Sequence, residues 1–199
     1  MCWWQSAKET LLARGLSLDF GYTHVWQDNA RGGLDTRHGH AQTGSYDVIL
    51  QLDTAKAGFW KNGLFNVCME GSFGQGISET KVGSRVDVNG DFCTESDFQV
   101  ATAWYEHKFL GDKILLRLGK QDSTQDFDTN RYANDEVTQF LNAGLINNLS
   151  IPFPDRGLAV QLRVVPTDWF YGQVGIFDAE GQGGRAGLDT AFMGRHTSS

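Results

Sequence analysis

Alternation of apolar and polar residues with a period of two is the feature that most constrains this chain. In its first such stretch the apolar residues are Leu16, Leu18, Phe20, Tyr22 and Trp26. Small or polar residues lie between them. Successive side chains of a strand point to opposite sides, so the stretch predicts a β-strand with one apolar and one polar face.

The same pattern returns along the rest of the chain. Further strands are predicted at residues 46–53, 65–73, 98–109, 114–118, 158–164 and 169–177, with a weaker eighth near 187–193. Tight turn signals at 110–113 and 166–168 alternate with long connections near 27–44 and 122–155. Short turns at one rim and long loops at the other are typical of up-and-down membrane barrels. In residues 98–109 both registers are partly apolar, so the facing of that strand stays open.

A short helix is predicted before the first strand. Ser6 and Glu9 have the spacing of a capping box, and Gly15 stands where a helix C-terminus favours glycine. We therefore expect a helix over residues 4–14. The predicted organisation is an N-terminal helical segment, residues 1–15, and a partial β-barrel, residues 16–199.

Composition excludes several classes of protein. A mean hydropathy of −0.35 argues against membrane helices, which need about 20 consecutive apolar residues. It does not argue against membrane strands, because only every second residue of a barrel strand faces lipid. The net charge of −7 argues against nucleic acid as a partner, since phosphate backbones favour a basic surface.

The sequence motifs give no support for an enzyme, a cofactor or a metal site. His38 and His40 have no third ligand at a suitable spacing. The stretch from Asp126 begins like a calcium loop, but Arg131 occupies the position that such a loop reserves for glycine. We therefore expect a protein that is not an enzyme and that has no cofactor.

The position of the aromatic residues favours a membrane barrel. Tryptophan and tyrosine gather near the predicted strand ends, as in interfacial aromatic girdles; these residues are Trp26, Tyr46, Trp60, Trp104, Tyr105 and Trp169. The alternative is a soluble carbohydrate-binding β-sandwich, in which the apolar faces pack on each other. The favoured fold class is an all-β, antiparallel, up-and-down transmembrane barrel.

The polar faces of the strands supply the candidate site. If the alternation is read correctly, six side chains line a water-filled lumen: Asp19, Asp53, Glu70, Arg117, Gln161 and Arg163. Planar polar side chains of this kind can each bind two neighbouring hydroxyls of a sugar. The alternative role for each residue is pairing with charges on neighbouring strands.

Several segments resemble one known family in both order and spacing. They are Gly15-Leu16-Ser17-Leu18, Leu50-Gln51-Leu52-Asp53-Thr54, Trp104-Tyr105-Glu106, Leu116-Arg117-Leu118-Gly119-Lys120-Gln121-Asp122, Phe140-Leu141-Asn142 and Pro152-Phe153-Pro154-Asp155-Arg156-Gly157. Together they resemble the carbohydrate-selective porin (OprB-type) family over residues 3–192.

The resemblance implies a sixteen-stranded porin barrel in the outer membrane of a Gram-negative-type cell. It implies facilitated diffusion of glucose-like sugars, with outer-membrane lipid around the barrel. Arg117 lies in the family's most recognisable strand and is the first candidate for a constriction-lining donor. Lys120 and Asp122, at the end of that strand, are its candidate neighbours. A non-specific general diffusion porin remains an alternative function.

The number of strands departs from the family pattern. Seven or eight strands are about half of the implied barrel, and no export signal is visible in the first residues. An open half-barrel would leave unpaired backbone groups in hydrocarbon, at a cost of several kcal/mol each. We therefore expect the sequence to be the N-terminal half of a longer porin, with the remainder of the barrel as its partner.

Overall fold

The described part of the chain is one helix followed by a single antiparallel sheet. The structure, a computed structural model, describes residues 3–92 and 98–181. The elements are α1 (Trp3–Ala13), β1 (Leu16–Asp28), β2 (His40–Asp53), β3 (Gly63–Gly74), β4 (Gln99–Phe109), β5 (Ile114–Gln121), β6 (Gly157–Thr167) and β7 (Phe170–Phe177). Each strand pairs with the next one in sequence. No helix among these residues has the length and apolar character to cross a membrane.

The predicted fold class is confirmed, and the strand ends are refined. All seven predicted strands form, but β1 and β2 extend further than their alternation indicates, so their loop covers only residues 29–39. A π-helical turn, Ser78–Val82, follows β3 and was not predicted. Two short helices, α2 (Thr124–Phe127) and α3 (Ala143–Ile146), lie between β5 and β6. The predicted eighth strand lies outside the described residues.

The burial of side chains is inverted relative to a soluble protein. Large apolar side chains on one face of the sheet are exposed: Phe20 is 69%, Trp26 60% and Ile176 76% accessible. Polar side chains on the other face are buried, with Asn66 6% and Gln161 4% accessible. This distribution suits a sheet with lipid on its apolar side and water on the other. Within the described residues the strands form one sheet, which does not have the two packed layers of a β-sandwich.

A bulge fixes the facing of β4. Cys68 of β3 pairs with Thr102, but Met69 pairs with Val100, so Ala101 is an extra residue on β4. Beyond the bulge Trp104 faces the polar side and Tyr105 the apolar side. The assignment of Trp104 to the aromatic girdle was therefore wrong, because the bulge and the mixed pattern of this strand hide its alternation.

Candidate functional site: the polar face and its inner segment

Three neighbouring strands bring a charged group together on the polar face. Glu106 of β4 lies opposite Arg117 of β5, which in turn lies opposite Gln161 of β6. Arg163 lies on the same side of β6, two residues further along. Since residues i and i+2 of a strand share a face, the antiparallel register alone places these side chains side by side.

Arg117 is held by two carboxylates and an aromatic ring. Its Nε and Nη2 donate to Glu106 Oε2 at 3.1 and 2.9 Å. Its Nη1 donates to Asp126 Oδ2 at 2.6 Å. The guanidinium carbon lies 4.4 Å from the centroid of the Trp104 ring. Charge-assisted bonds of this kind fix the planar guanidinium in one orientation.

Gly119 allows β5 to lie close to the backbone of β4 beside Trp104. It lies opposite Trp104 in the ladder between β4 and β5. Its φ is +132°, and a Cβ there would lie 2.7 Å from the Trp104 Cα. Any other residue would therefore be strained and would collide with β4. The glycine of the Leu-Arg-Leu-Gly-Lys stretch thus allows β4 and β5 to approach closely next to the Trp104–Arg117 pair.

Asp126 reaches Arg117 because the connection from β5 to β6 folds over the polar face. We call residues 122–156 the inner segment. Phe127 of this segment packs edge to face on Phe177 of β7, with ring centroids 5.7 Å apart. Gln173 of β7 donates from Nε2 to the Asp126 carbonyl at 2.5 Å. Helix α2 is therefore held to β7 at Asp126 and at Phe127.

A second connection supports the inner segment. In residues 75–92, Asn89 donates to the Thr43 hydroxyl at 2.8 Å, and Asp91 accepts from the Ser45 hydroxyl at 2.7 Å. The backbones of the two segments also bond, from Gly90 N–H to the Leu141 carbonyl at 2.7 Å. The connection of residues 75–92 thus bonds both to β2 and to the inner segment on the polar face.

The ends of the inner segment carry a further ionic group. Arg156 pairs through Nη1 with Glu70 Oε1. Its Nε lies 3.6 Å from Asp122 Oδ2. Glu70 also accepts from Gln99 Nε2 at 3.4 Å. Asp122 in turn accepts from the backbone N–H of Thr124 at 2.9 Å, at the start of α2.

Two adjacent carboxyl groups of the inner segment have opposite pKa shifts. Hydrogen bonds from the Thr138 hydroxyl and N–H, and then from the Val137 N–H, hold the pKa of Asp135 below its ordinary value. Burial raises the pKa of Glu136 above its ordinary value, and the negative charge of Asp135 adds to this effect. Asp135 is thus a turn-capping carboxylate, whereas Glu136 lies in a less hydrated place.

A cleft opens beside Arg117. It is lined by Glu106, Leu115, Arg117, Asp126, Gln161 and Arg163. The guanidinium of Arg163 lies 4.3 Å from the Tyr171 ring centroid. Gln161 Oε1 and Arg163 Nε are buried without a hydrogen-bond partner in the described residues. The cleft therefore holds planar polar groups whose hydrogen bonds the wall does not use up.

The structure gathers some of the eight candidate residues and separates the rest. Arg117, Gln161 and Arg163 share the cleft, whereas Glu70 and Asp122 meet at Arg156. The other three candidates lie elsewhere.

Asp19, Asp53 and Lys120 each have local partners away from the cleft. Asp19 accepts from Lys8 Nζ of α1 at 3.1 Å. Asp53 caps the turn after β2, accepting from the Ala55 N–H at 3.0 Å. Lys120 is 5% exposed and donates from Nζ to the Val100 carbonyl at 2.7 Å. A role for any of the eight in a solute path stays a prediction.

Four residues of the groups around Arg117 and Arg156 were not predicted from the sequence: Trp104, Glu106, Asp126 and Arg156. Glu106 lies two residues after Trp104, so a correct assignment of the two faces of β4 would have placed both side chains on the polar face. Asp126 belongs to a stretch that only begins like a calcium loop, and this pattern gives no sign of its contact with Arg117. Arg156 lies in a motif that resembles the family, and the motif assigns it no role.

Comparisons with known proteins agree with this architecture. The structure of Pseudomonas putida OprB at high pH superposes with a TM-score of 0.77 and 18% identity, covering 88% of this chain and 43% of that chain. Its low-pH structure gives a TM-score of 0.52 and 15% identity, covering 87% and 48%. The chain thus spans less than half the length of these solved relatives.

A sequence relative and a family model complete the comparison. An uncharacterized protein of Aquifex aeolicus (strain VF5) is 48% identical over 48 residues, which are 23% of this chain and 16% of that protein. The model of the carbohydrate-selective porin, OprB family, matches residues 37–198. The chain belongs to the carbohydrate-selective porin family.

Proposed function

We propose that this chain forms part of the wall of an outer-membrane pore through which carbohydrates diffuse down their gradient. The observation that carries the proposal is the inverted sheet, in which the apolar face is exposed and the polar face holds the cleft beside Arg117. A water-filled barrel needs this arrangement, because lipid solvates only apolar side chains. Membership of the carbohydrate-selective porin family supports the choice of solute.

The chemistry of the cleft suits a neutral solute with many hydroxyl groups. Two carboxylates, of Glu106 and Asp126, face the guanidinium groups of Arg117 and Arg163, so their formal charges balance. Such a cleft offers hydrogen-bond donors and acceptors without a net charge that would hold an ion. Gln161 adds an amide that can both donate and accept.

The same proposal includes the surroundings of the chain. Outer-membrane lipid would cover the apolar face, where Phe20 and Ile176 are exposed. Within the described residues, β1 and β7 are the edges of the sheet. Edge backbone groups need partners in hydrocarbon, so further strands would pair with them and close the barrel.

The test is conductance of the complete porin in planar lipid bilayers. We expect added glucose to reduce the current, and Arg117→Ala to weaken this block, because it removes the cation that holds Glu106 and Asp126. Arg37→Ala is the matched control, since Arg37 is exposed in the loop between β1 and β2. Equal block by a neutral solute of similar size that is not a sugar would favour a general diffusion pore. A protein without any channel current would contradict the proposal.

A further inference from the structure

We infer that Arg156 is the positioning residue that closes the base of the inner segment and thereby sets the geometry of the cleft. Asp122 and Arg156 are the first and last residues of that segment, and their side chains meet at 3.6 Å. Arg156 also pairs with Glu70 in β3. One guanidinium thus joins both ends of a long connection to the wall. The inference rests on the proposed function, because the cleft whose geometry Arg156 sets is part of the proposed solute path.

Arg156 lies just before β6 and pairs with a residue of β3. It directly precedes β6, whose first residue, Gly157, pairs with Gln121 at the end of β5. Glu70 lies in β3, where it pairs with Gln99 at the start of β4. The Arg156–Glu70 pair therefore links the start of β6 to β3, two strands that are not neighbours in the sheet. A shorter or monodentate cation would satisfy fewer of these groups.

The charged side chains around Arg156 are largely buried, so their pairing matters for the stability of the segment's base. The side chains of Arg156, Glu70 and Asp122 are 27%, 20% and 17% accessible. Charges this poorly hydrated depend on their partners, and removal of one partner leaves the others unpaired. Without Arg156, the two carboxylates would face each other across the base of the segment. We expect them to repel and to draw in water, which releases that base.

The effect would reach the cleft through α2. Asp122 accepts from the Thr124 N–H at the first turn of α2, and the same short helix carries Asp126 to Arg117. Arg156 is not among the residues that line the cleft. Its influence on a solute therefore passes through the placement of Asp126, which makes it a positioning residue and not a solute ligand.

The experiment compares single-channel currents of the complete porin with those of its Arg156→Gln variant. We expect larger current fluctuations and an apparent dissociation constant for glucose that is raised by roughly threefold to tenfold, as for other indirect couplings. The matched control is Arg131→Gln, because Arg131 lies exposed in the same segment and stacks on the neighbouring Tyr132. Arg131→Gln should behave like the wild type.

Two further variants separate positioning from general damage. Arg156→Lys keeps the charge but satisfies fewer of these groups, so it should retain part of the glucose block that Arg156→Gln loses. The exchange Glu70→Arg with Arg156→Glu should recover part of it, whereas Glu70→Arg alone should not. If Arg156→Gln fails to insert into membranes, Arg156→Lys and the exchange still test the pairing, since both keep opposite charges between these positions.

The outcomes for the inference and for the proposed function are distinct. Wild-type fluctuations and glucose block in Arg156→Gln would overturn the inference while the pore itself remains. Loss of block that neither Arg156→Lys nor the exchange restores would also overturn it. If the wild-type pore conducts and glucose has no effect, the proposed function fails, and the current fluctuations of Arg156→Gln alone decide the inference.

Discussion

Arg117 and Glu106 face each other across β5 and β4, and two guanidinium nitrogens donate to the same carboxylate oxygen, Oε2, at 3.1 and 2.9 Å. The Glu106 side chain is only 8% accessible. The carboxylate therefore depends on this guanidinium for the hydrogen bonds that water would otherwise supply. The pair is a structural element of the wall as well as part of the cleft.

Arg117→Ala should therefore lower the free energy of unfolding as well as weaken the glucose block. Leaving a buried acceptor unpaired costs about 1–3 kcal/mol. Adding Glu106→Gln should recover part of this loss, because the amide is uncharged. Urea unfolding of the refolded porin in detergent micelles measures the loss of stability in Arg117→Ala and its partial recovery in the double variant. An Arg117→Ala variant as stable as the wild type would show that water reaches Glu106 freely.

Trp104 and Trp26 should report opposite sides of the sheet. Trp104 lies beside Arg117 on the polar face, whereas Trp26 is 60% exposed on the apolar face. In variants that keep a single tryptophan, we expect lipids with brominated acyl chains to quench Trp26 fluorescence strongly and Trp104 fluorescence weakly. Strong quenching of Trp104 by these lipids would contradict the facing that the bulge at Ala101 gives to β4.

Thr54 should be important for the turn between β2 and β3. It is fully buried, accepts from the Gly63 N–H at 3.1 Å and donates to the Trp60 carbonyl at 2.6 Å. Thr54→Val keeps the shape but removes the hydroxyl, and should cost about 1–3 kcal/mol of unfolding free energy. Thr54→Ser keeps both bonds and should cost less. Urea unfolding decides between them, and equal losses would disprove the role of the hydroxyl.

The turn at Asp135 should weaken in acid. Because the folded pKa of Asp135 is lowered, its stabilisation is fully present above the ordinary carboxyl pKa and is lost as pH falls through the lowered value. Amide hydrogen-exchange protection of Val137 and Thr138, corrected for intrinsic rates, should decrease over that range. Asp135→Asn should make the protection nearly independent of pH. A pH dependence that persists in Asp135→Asn would have to come from another group.

Glu136 provides a control of opposite sign for the same measurement. Burial raises the pKa of Glu136 in the folded state. Its contribution to stability is therefore present below the ordinary carboxyl pKa and is lost as pH rises through the folded value. Glu136→Gln should therefore improve protection of the segment mainly at neutral pH. An improvement confined to acid would contradict the burial of this carboxyl.

The sequence was sufficient to predict the strands because a half-lipid, half-water environment imposes a period of two on each of them. Leu16, Leu18 and Phe20 show this pattern without interruption, and so the seven strands and their order were predicted. Trp104 and Glu106 were not placed, because an extra residue at Ala101 changes the register within β4. Periodicity in sequence carries no sign of such a bulge.

The inner segment shows why the rest of the site could not be predicted. Asp126 meets Arg117, and Arg156 meets Glu70, only because a long connection folds over the sheet. Arg117 and Asp126 are only nine residues apart, whereas Arg156 and Glu70 are far apart in the chain, and neither contact leaves a periodic pattern in the sequence. The family motif around Pro152 and Arg156 indicated that this segment matters, but its partner in β3 became visible only in the structure.

Modification of thiols on the two faces of β1 tests the central claim most directly. In a background with Cys2, Cys68 and Cys93 replaced by serine, Asp19→Cys places a thiol on the polar face and Phe20→Cys places one on the apolar face. A charged, membrane-impermeant methanethiosulfonate reagent is then added to the complete porin in a planar bilayer. If the polar face lines the conducting path, the reagent lowers the current through Asp19→Cys and leaves that through Phe20→Cys unchanged. An equal effect on both, or an effect on Phe20→Cys alone, would contradict it.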